Sequence, residues 1–336
     1  EHAGSGTLQV AQTDGVLDNS TGVMVSAGML DLGRASAVDN TGGLLQGQLG
    51  VRFSDQLQTL ANHGGRLISG AGLALVTANA LDNSAGLIQA SGDLDLGASR
   101  LDNQSGNIVA LGNGAATMRV TGNADNRGGL IGANGGLNLS AAGLDNRAGS
   151  IKSAGNIALA VTQGLDNEQG GSVSAGGSLG VSAGSVVNNG GSLAGDRLVL
   201  LADTLSNHSG SLLSSGVADA TVQTVGILDN AGGRIAANGT NLTVQGSVIA
   251  NAGGRIEHAG SKQVVRHERG ERSRRDESQS ARGDIGQLTP FEQKQRQHAA
   301  CEHGGRTTCE RDPKLGPIHH ARRTFSRVRE RRRSDE

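Results

Sequence analysis

The first 261 residues predict an all-β fold, a parallel β-helix built from coils of about 21 residues. Three observations carry this expectation. An apolar-x-Asn triplet recurs twelve times, with Asn19, Asn40, Asn62, Asn83, Asn103, Asn126, Asn146, Asn167, Asn189, Asn207, Asn230 and Asn251 in its third place. Between these asparagines the apolar residues fall at odd offsets. The chain has 55 Gly but only three Phe, and no Trp or Tyr, so any core must be aliphatic.

The spacing from one Asn to the next runs from 18 to 23 residues. Counted from each Asn, an aliphatic residue usually stands at the fifth position, as at Ile88, Ile108, Ile131, Ile151, Ile235 and Ile256. Ala or Ser is common at the seventh and Gly at the ninth. Aliphatic residues return at the eleventh and thirteenth, as at Leu30 and Leu32, Leu94 and Leu96, or Leu137 and Leu139. Alternation with period two is a strand signature, because successive side chains point to opposite faces. A helix would need spacings of three and four, and each interior Gly would weaken it by about 1 kcal/mol.

One unit with so thin an apolar face cannot bury it alone. Stacked units can, each covering the next, which is the logic of a solenoid. Twelve coils at the inter-strand spacing would extend about 58 Å. Leucine-rich repeats have a similar period, but their Asn follows a longer leucine ladder and a helical segment usually accompanies it. Neither feature is present.

Comparison of the units within the chain separates the roles of the triplet. Its first residue is Leu, Val or Ile in every unit but that of Ala124, so it faces a core. Its middle residue is Asp in eight units and Ala61, Asn188, Ser206 or Ala250 in the others, so it does no obligatory chemistry. Gly stands three residues after the Asn in eleven units; the exception is Ser192, after Asn189.

The triplet therefore reads as a corner. Asn tolerates the left-handed backbone region, and its amide can ladder from coil to coil. The Gly would supply a second conformation that side chains disfavour. The Asp column reads as solvated charge at a turn. The alternative, eight carboxylates collecting divalent cations, lacks the glycine-rich calcium-binding signature of β-helices.

The stretches "LDNSAGLIQASGDLDL", "LDNRAGSIKSAGNIAL" and "LDNAGGRIAANGTNLTV" resemble the haemagglutinin repeats of the filamentous haemagglutinin family. These are long bacterial exoproteins of two-partner secretion, comprising adhesins and contact-dependent inhibition proteins. The resemblance covers about residues 1–261. It implies a right-handed parallel β-helical shaft, exported through an outer-membrane two-partner-secretion transporter and displayed at the cell surface or secreted. It implies partners among host or neighbouring-cell receptors or glycans.

The leading function is thus the structural shaft of an adhesin, the second the shaft of a toxin carrier. A third class, a β-helical enzyme acting on polysaccharide, would need paired carboxylates in a cleft framed by long loops and aromatics. Near-constant unit length and a single aromatic residue before position 262, Phe53, argue against it. No cofactor or metal is implied. No apolar run approaches the roughly 20 residues of a membrane-spanning helix. The opening "EHAGS" returns at Glu257–Ser261, which predicts a piece of a longer shaft.

Composition changes at residue 262. The first 261 residues carry a net charge of −8, and residues 262–336 carry +7 with all three Pro and both Cys. Such a segment, rich in charge and poor in aliphatics, is expected to be disordered. Arg282, Gly283 and Asp284 form an integrin-type tripeptide and are the candidate adhesion motif. His298, Cys301, His303 and Cys309 match no standard zinc spacing. The run from Arg322 to Arg333 supports charge attraction to polyanions but no specific nucleic-acid recognition. An Arg-rich sequence beginning abruptly inside a repeat is also what a shifted reading frame would produce. Both origins predict that trypsin strips this tail quickly and leaves a resistant core ending near Arg255 or Lys262, as gel and mass analysis of a digest would show.

Overall fold

The computed structural model describes residues 1–10 and 15–260, together with the backbone of residues 262–267. All of these belong to the first of two units into which the chain divides, Glu1–Ile285. Among the described residues there are strands and turns but no helix. Their strands pair in parallel from one coil to the next, forming a parallel β-solenoid of about 12 turns with coils of about 21 residues. The winding is compatible with a right-handed helix, the hand that parallel crossovers favour.

A complete coil has three strands. The post-corner strand follows the repeated Asn turn, the middle strand comes next, and the pre-corner strand carries the apolar-Asp pair into the next Asn. In one coil these are Leu87–Ala90, Leu94–Ala98 and Arg100–Asp102. The post-corner strands form one twelve-stranded sheet, from Val23–Ser26 to Arg255–His258. From Leu137 to Ser206 the middle and pre-corner strands fuse into continuous strands of nine or ten residues. Register irregularities interrupt the pairings of these long strands between Ala141 and Gly143 and between Val161 and Gly164.

The odd offsets become inward-facing columns. Ile88, Ile108, Ile131 and Ile151 lie in register on successive post-corner strands, and all four are fully buried. Leu94 and Leu96, Leu137 and Leu139, and Leu198 and Leu200 line the middle face of the same core. Leu81, Leu101, Ala124, Leu144 and Leu165 close the pre-corner face. Burial of a Leu or Ile side chain is worth about 1.5–3 kcal/mol. A core this thin is therefore stabilised by its length, coil upon coil.

The solenoid continues past the composition boundary. Lys262–His267 forms a strand paired in parallel with Asn241–Gly246. The expectation that nothing after residue 261 joins the shaft is corrected, because the backbone of one more middle strand is in register there. The earliest tryptic cut expected to release the tail moves accordingly to Arg269, the first Lys or Arg beyond His267. The tripeptide Arg282-Gly283-Asp284, the four metal-ligand candidates and the Arg322–Arg333 run lie outside the described residues.

The glycine column also needs correction. The left-handed residue is the second after the Asn rather than the third, joined by the third only in the longer Asn167 turn, at Gly170: φ is +59° at Gly64 and +62° at Gly128, but also +53° at Ala85 and Ser105. This is the third residue of a four-residue turn, closed by the N–H of Gly86 donating to the carbonyl of Asn83 at 2.9 Å. The third-position Gly is required by proximity instead. A Cβ on Gly86 would collide with the carbonyl oxygen of Asn62 in the coil below and with the side chain of Asn83.

Gly86→Ala is therefore expected to cost about 1–3 kcal/mol through overpacking. Gly64→Ala, with no atom within 4 Å of the new Cβ, should cost only the left-handed penalty of about 1 kcal/mol. Thermal melts of the two variants check the order.

Candidate functional site: the asparagine corner

Each corner is held by a buried carboxamide. The Nδ2 of one Asn donates to the Oδ1 of the Asn in the next coil at 2.7 Å, and this repeats without interruption from Asn19 to Asn251. The same nitrogen also faces the carbonyl of its own turn's Gly and a carbonyl of the next post-corner strand. For Asn103 these are Gly106 at 3.2 Å and Leu130 at 3.2 Å. The backbone joins in, with the N–H of Asn103 donating to the carbonyl of Asp125 at 2.7 Å. All the hydrogen-bond capacity of the amide nitrogen is used within the corner, so it presents no donor to a ligand.

The structure brings together eleven of the twelve predicted asparagines: Asn19, Asn40, Asn62, Asn83, Asn103, Asn126, Asn146, Asn167, Asn207, Asn230 and Asn251. Asn189 is the exception. Asn188 occupies the buried position, bonding from Asn167 and to Asn207. The triplet of that unit is Val186-Val187-Asn188, since Val186 pairs with Leu165 and Val187 with Asp166. Two adjacent asparagines made the register ambiguous in sequence. With the register moved by one, Gly191 takes the third place after the Asn, and the apparent exception at Ser192 disappears.

Asn189 instead works outside the corner. Its Oδ1 accepts from the Ser206 hydroxyl at 2.8 Å and from the N–H of His208 at 2.9 Å, while its Nδ2 donates to Glu168 at 2.7 Å. This is the N–H that an Asp would receive in other units. All eight aspartates of the triplet column accept the N–H two residues on, as Asp102 does from Gln104 at 3.0 Å and Asp229 from Ala231 at 3.0 Å. They are turn-capping acceptors of the Asx type. Ser206 turns its hydroxyl to Asn189 of the neighbouring coil, and Asn189 accepts the N–H of His208 in place of an Asp.

On this outer corner Arg127 holds Asp125 at 2.6 Å and reaches Asp145 at 3.5 Å. Arg147 repeats the pattern with Asp145 at 2.6 Å and Asp166 at 3.4 Å. Exposed pairs of this kind contribute little to stability, because solvent screens them. Burial pushes the Asp125 carboxyl up, but the Arg127 contacts outweigh it and leave it below the ordinary carboxylate range. Burial, reinforced by the charge of Glu168, leaves Asp166 above that range. The hydrogen bond from His208, with the Ala231 N–H, holds Asp229 below it. Among the described residues no group of three or more His, Cys, Asp or Glu side chains is placed to hold a metal ion.

An open trough of about 590 Å³ lies beside this column, where Gly143 and Gly164 leave the surface bare between Arg100, Asn123, Asp125 and Asp166. Its side chains come from successive pre-corner strands, and its Asp125, Asp145 and Asp166 are held from the corner by Arg127 and Arg147.

The model of the haemagglutinin repeat matches residues 3–117, 112–169 and 157–264. The chain belongs to the haemagglutinin-repeat family of filamentous haemagglutinins. No curated protein and no solved structure matches it. The matched span runs to residue 264, into the paired strand at Lys262–His267. This haemagglutinin-repeat segment is a filamentous-haemagglutinin-like shaft, and its family is one of secreted or surface-exposed proteins associated with adhesion and two-partner secretion. No helix among the described residues is long and apolar enough to cross a membrane.

Replacing Asn103 by Leu should leave the buried Oδ1 of Asn126 without its donor and take from Asn83 Nδ2 its shortest acceptor, at a cost of about 1–3 kcal/mol or more. Asp102→Ala removes one half-exposed acceptor and should cost about 0.5–1.5 kcal/mol. Chemical denaturation of the two variants should show the larger loss for Asn103→Leu.

Proposed function

We propose that this segment is the structural shaft of a surface adhesin, carrying binding surfaces away from the cell that secretes it. The observation that supports the reading is the unbroken ladder from Asn19 to Asn251, which commits the corner of every coil to holding the next coil. A repeat that spends its invariant residue on stacking gains reach with each copy. Such an arrangement suits a spacer better than a catalyst, whose chemistry is written once.

In this reading the shaft leaves its cell through an outer-membrane two-partner-secretion transporter. The partners it meets are receptors or glycans on host or neighbouring cells. The tail beyond the strand at Lys262–His267 carries the Arg282-Gly283-Asp284 tripeptide. Absence of Cys and Pro from the first 261 residues suits export of an unfolded chain that folds afterwards.

The test is adherence. Beads coated with the full chain should bind cultured host cells and be displaced by soluble chain, and Asp284→Glu should leave most of that binding intact if the shaft supplies it. Beads that bind no more than albumin-coated controls would overturn the adhesive reading and leave the toxin-carrier shaft in its place.

A further inference from the structure

Three parallel ladders normally tie each coil to the next. Between the coil that starts at Asn40 and the coil that starts at Asn62, only two do. The post-corner strands Leu44–Gly47 and Arg66–Ser69 pair in register, as do the pre-corner strands Thr59–Ala61 and Ala80–Asp82. The asparagine column is also continuous there, Asn40 to Asn62 at 2.7 Å. The middle strands Gly50–Phe53 and Leu73–Val76 are not joined in a ladder. Gly50–Phe53 ends a separate three-stranded sheet with Thr7–Gln9 and Met29–Leu32, and the large sheet begins again at Leu73–Val76, paired with Leu94–Gly97.

The local sequence explains the interruption. The earlier coil has two residues, 48–49, between its post-corner and middle strands and five, 54–58, between its middle and pre-corner strands. The later coil has three at each place, 70–72 and 77–79. The two coils therefore differ in outline, and the longer corner of the earlier one buries Leu57. Gly50 enters its strand at φ +137°, a conformation open to Gly. At the gap the Ser69 hydroxyl substitutes for a strand carbonyl: Val51 donates its N–H to Ser69 Oγ at 3.3 Å, and Ser69 donates to the carbonyl of Gly72 at 2.9 Å.

Strand alternation fixes which amides face the gap. Leu73 and Thr77 donate their N–H groups onward, to the carbonyls of Asp93 and Gly97. Ala74 and Val76 therefore point back toward the earlier coil, and Val51 and Phe53 point forward to meet them. Behind them Phe53 and Leu75 are buried, so the core itself is closed at this level.

We propose that this seam is a one-sided hinge of the shaft. The middle face opens here before it opens at any other coil boundary between Met29 and Val244, while the asparagine corner and the two paired sheets hold the coils together. The opening bends the first three coils against the rest without unstacking them. A spacer with one such point can comply when pulled or pressed, and the position of the point is set by two unequal corners.

Native-state hydrogen exchange of the full chain, read by residue, tests this. Amides of Ala74 and Val76 should exchange at least about tenfold faster than those of Asp95 and Gly97, their counterparts one coil on, because tenfold is the factor that about one net hydrogen bond represents. Phe53 should exceed Leu75 in the same way. Arg66–Ser69 should be as protected as Leu87–Ala90, which separates a hinge from general fraying of the early coils. Ser69→Ala should speed exchange at Val51 and leave Asp95 and Gly97 unchanged. Equal protection at Ala74 and Asp95, or equal loss of protection on all three faces of the coil, would overturn the hinge.

Discussion

The hydrogen bond from one buried carboxamide to the next is the interaction on which the rest of this shaft depends. An amide in an apolar interior is costly unless every donor and acceptor is matched. Here the match for each Asn is supplied by the coil above and the coil below, so no coil is satisfied alone. The ladder converts a local turn into a reason to stack. It also explains why unit length can vary from corner to corner while the distance between ladder amides stays at 2.7 Å.

Around that ladder the other columns follow. The turn must bring the chain back over the Asn below, which places one residue in the left-handed region and leaves no room for a Cβ on the next. Half of the left-handed positions are not Gly, because the penalty of about 1–2 kcal/mol for a single residue is tolerable in a stack this long. The contact with the carbonyl below admits no such substitution, and Gly is invariant there. The Asp column serves the same turn from outside by capping an exposed N–H. Where Ser206 replaces Asp, Asn189 of the neighbouring coil takes over.

These relations separate tolerance from function in a repeat protein. The most repeated residue is committed to its own kind, and the variable surface is what distinguishes one coil from another. The paired arginines Arg127 and Arg147 with their aspartates, the trough at Gly143 and Gly164, and the gap beside Gly50 sit at defined heights. A shaft of this family can therefore keep its stacking chemistry constant while surface residues and corner lengths change.

The period, the strand character, the aliphatic core and the corner at Asn were all legible in the sequence, because they arise from alternation and recurrence within single coils. Leu94 and Leu96, or Ile108 and Ile131, announce their facing by spacing alone. Relations between coils were not legible. Asn188 and Asn189 are equivalent in pattern, and only the pairing of Val186 with Leu165 decides which one is buried. The Gly after each Asn suggested a special φ, whereas it is excluded volume from the preceding coil that forbids a side chain. The strand at Lys262–His267 lies in a stretch whose composition argues against it, and backbone pairing does not depend on composition. The break between Phe53 and Leu73 is a mismatch of two outlines, each acceptable by itself. Sequence determined what one coil is; stacking decided which atoms meet, because register and close approach are properties of two coils at once.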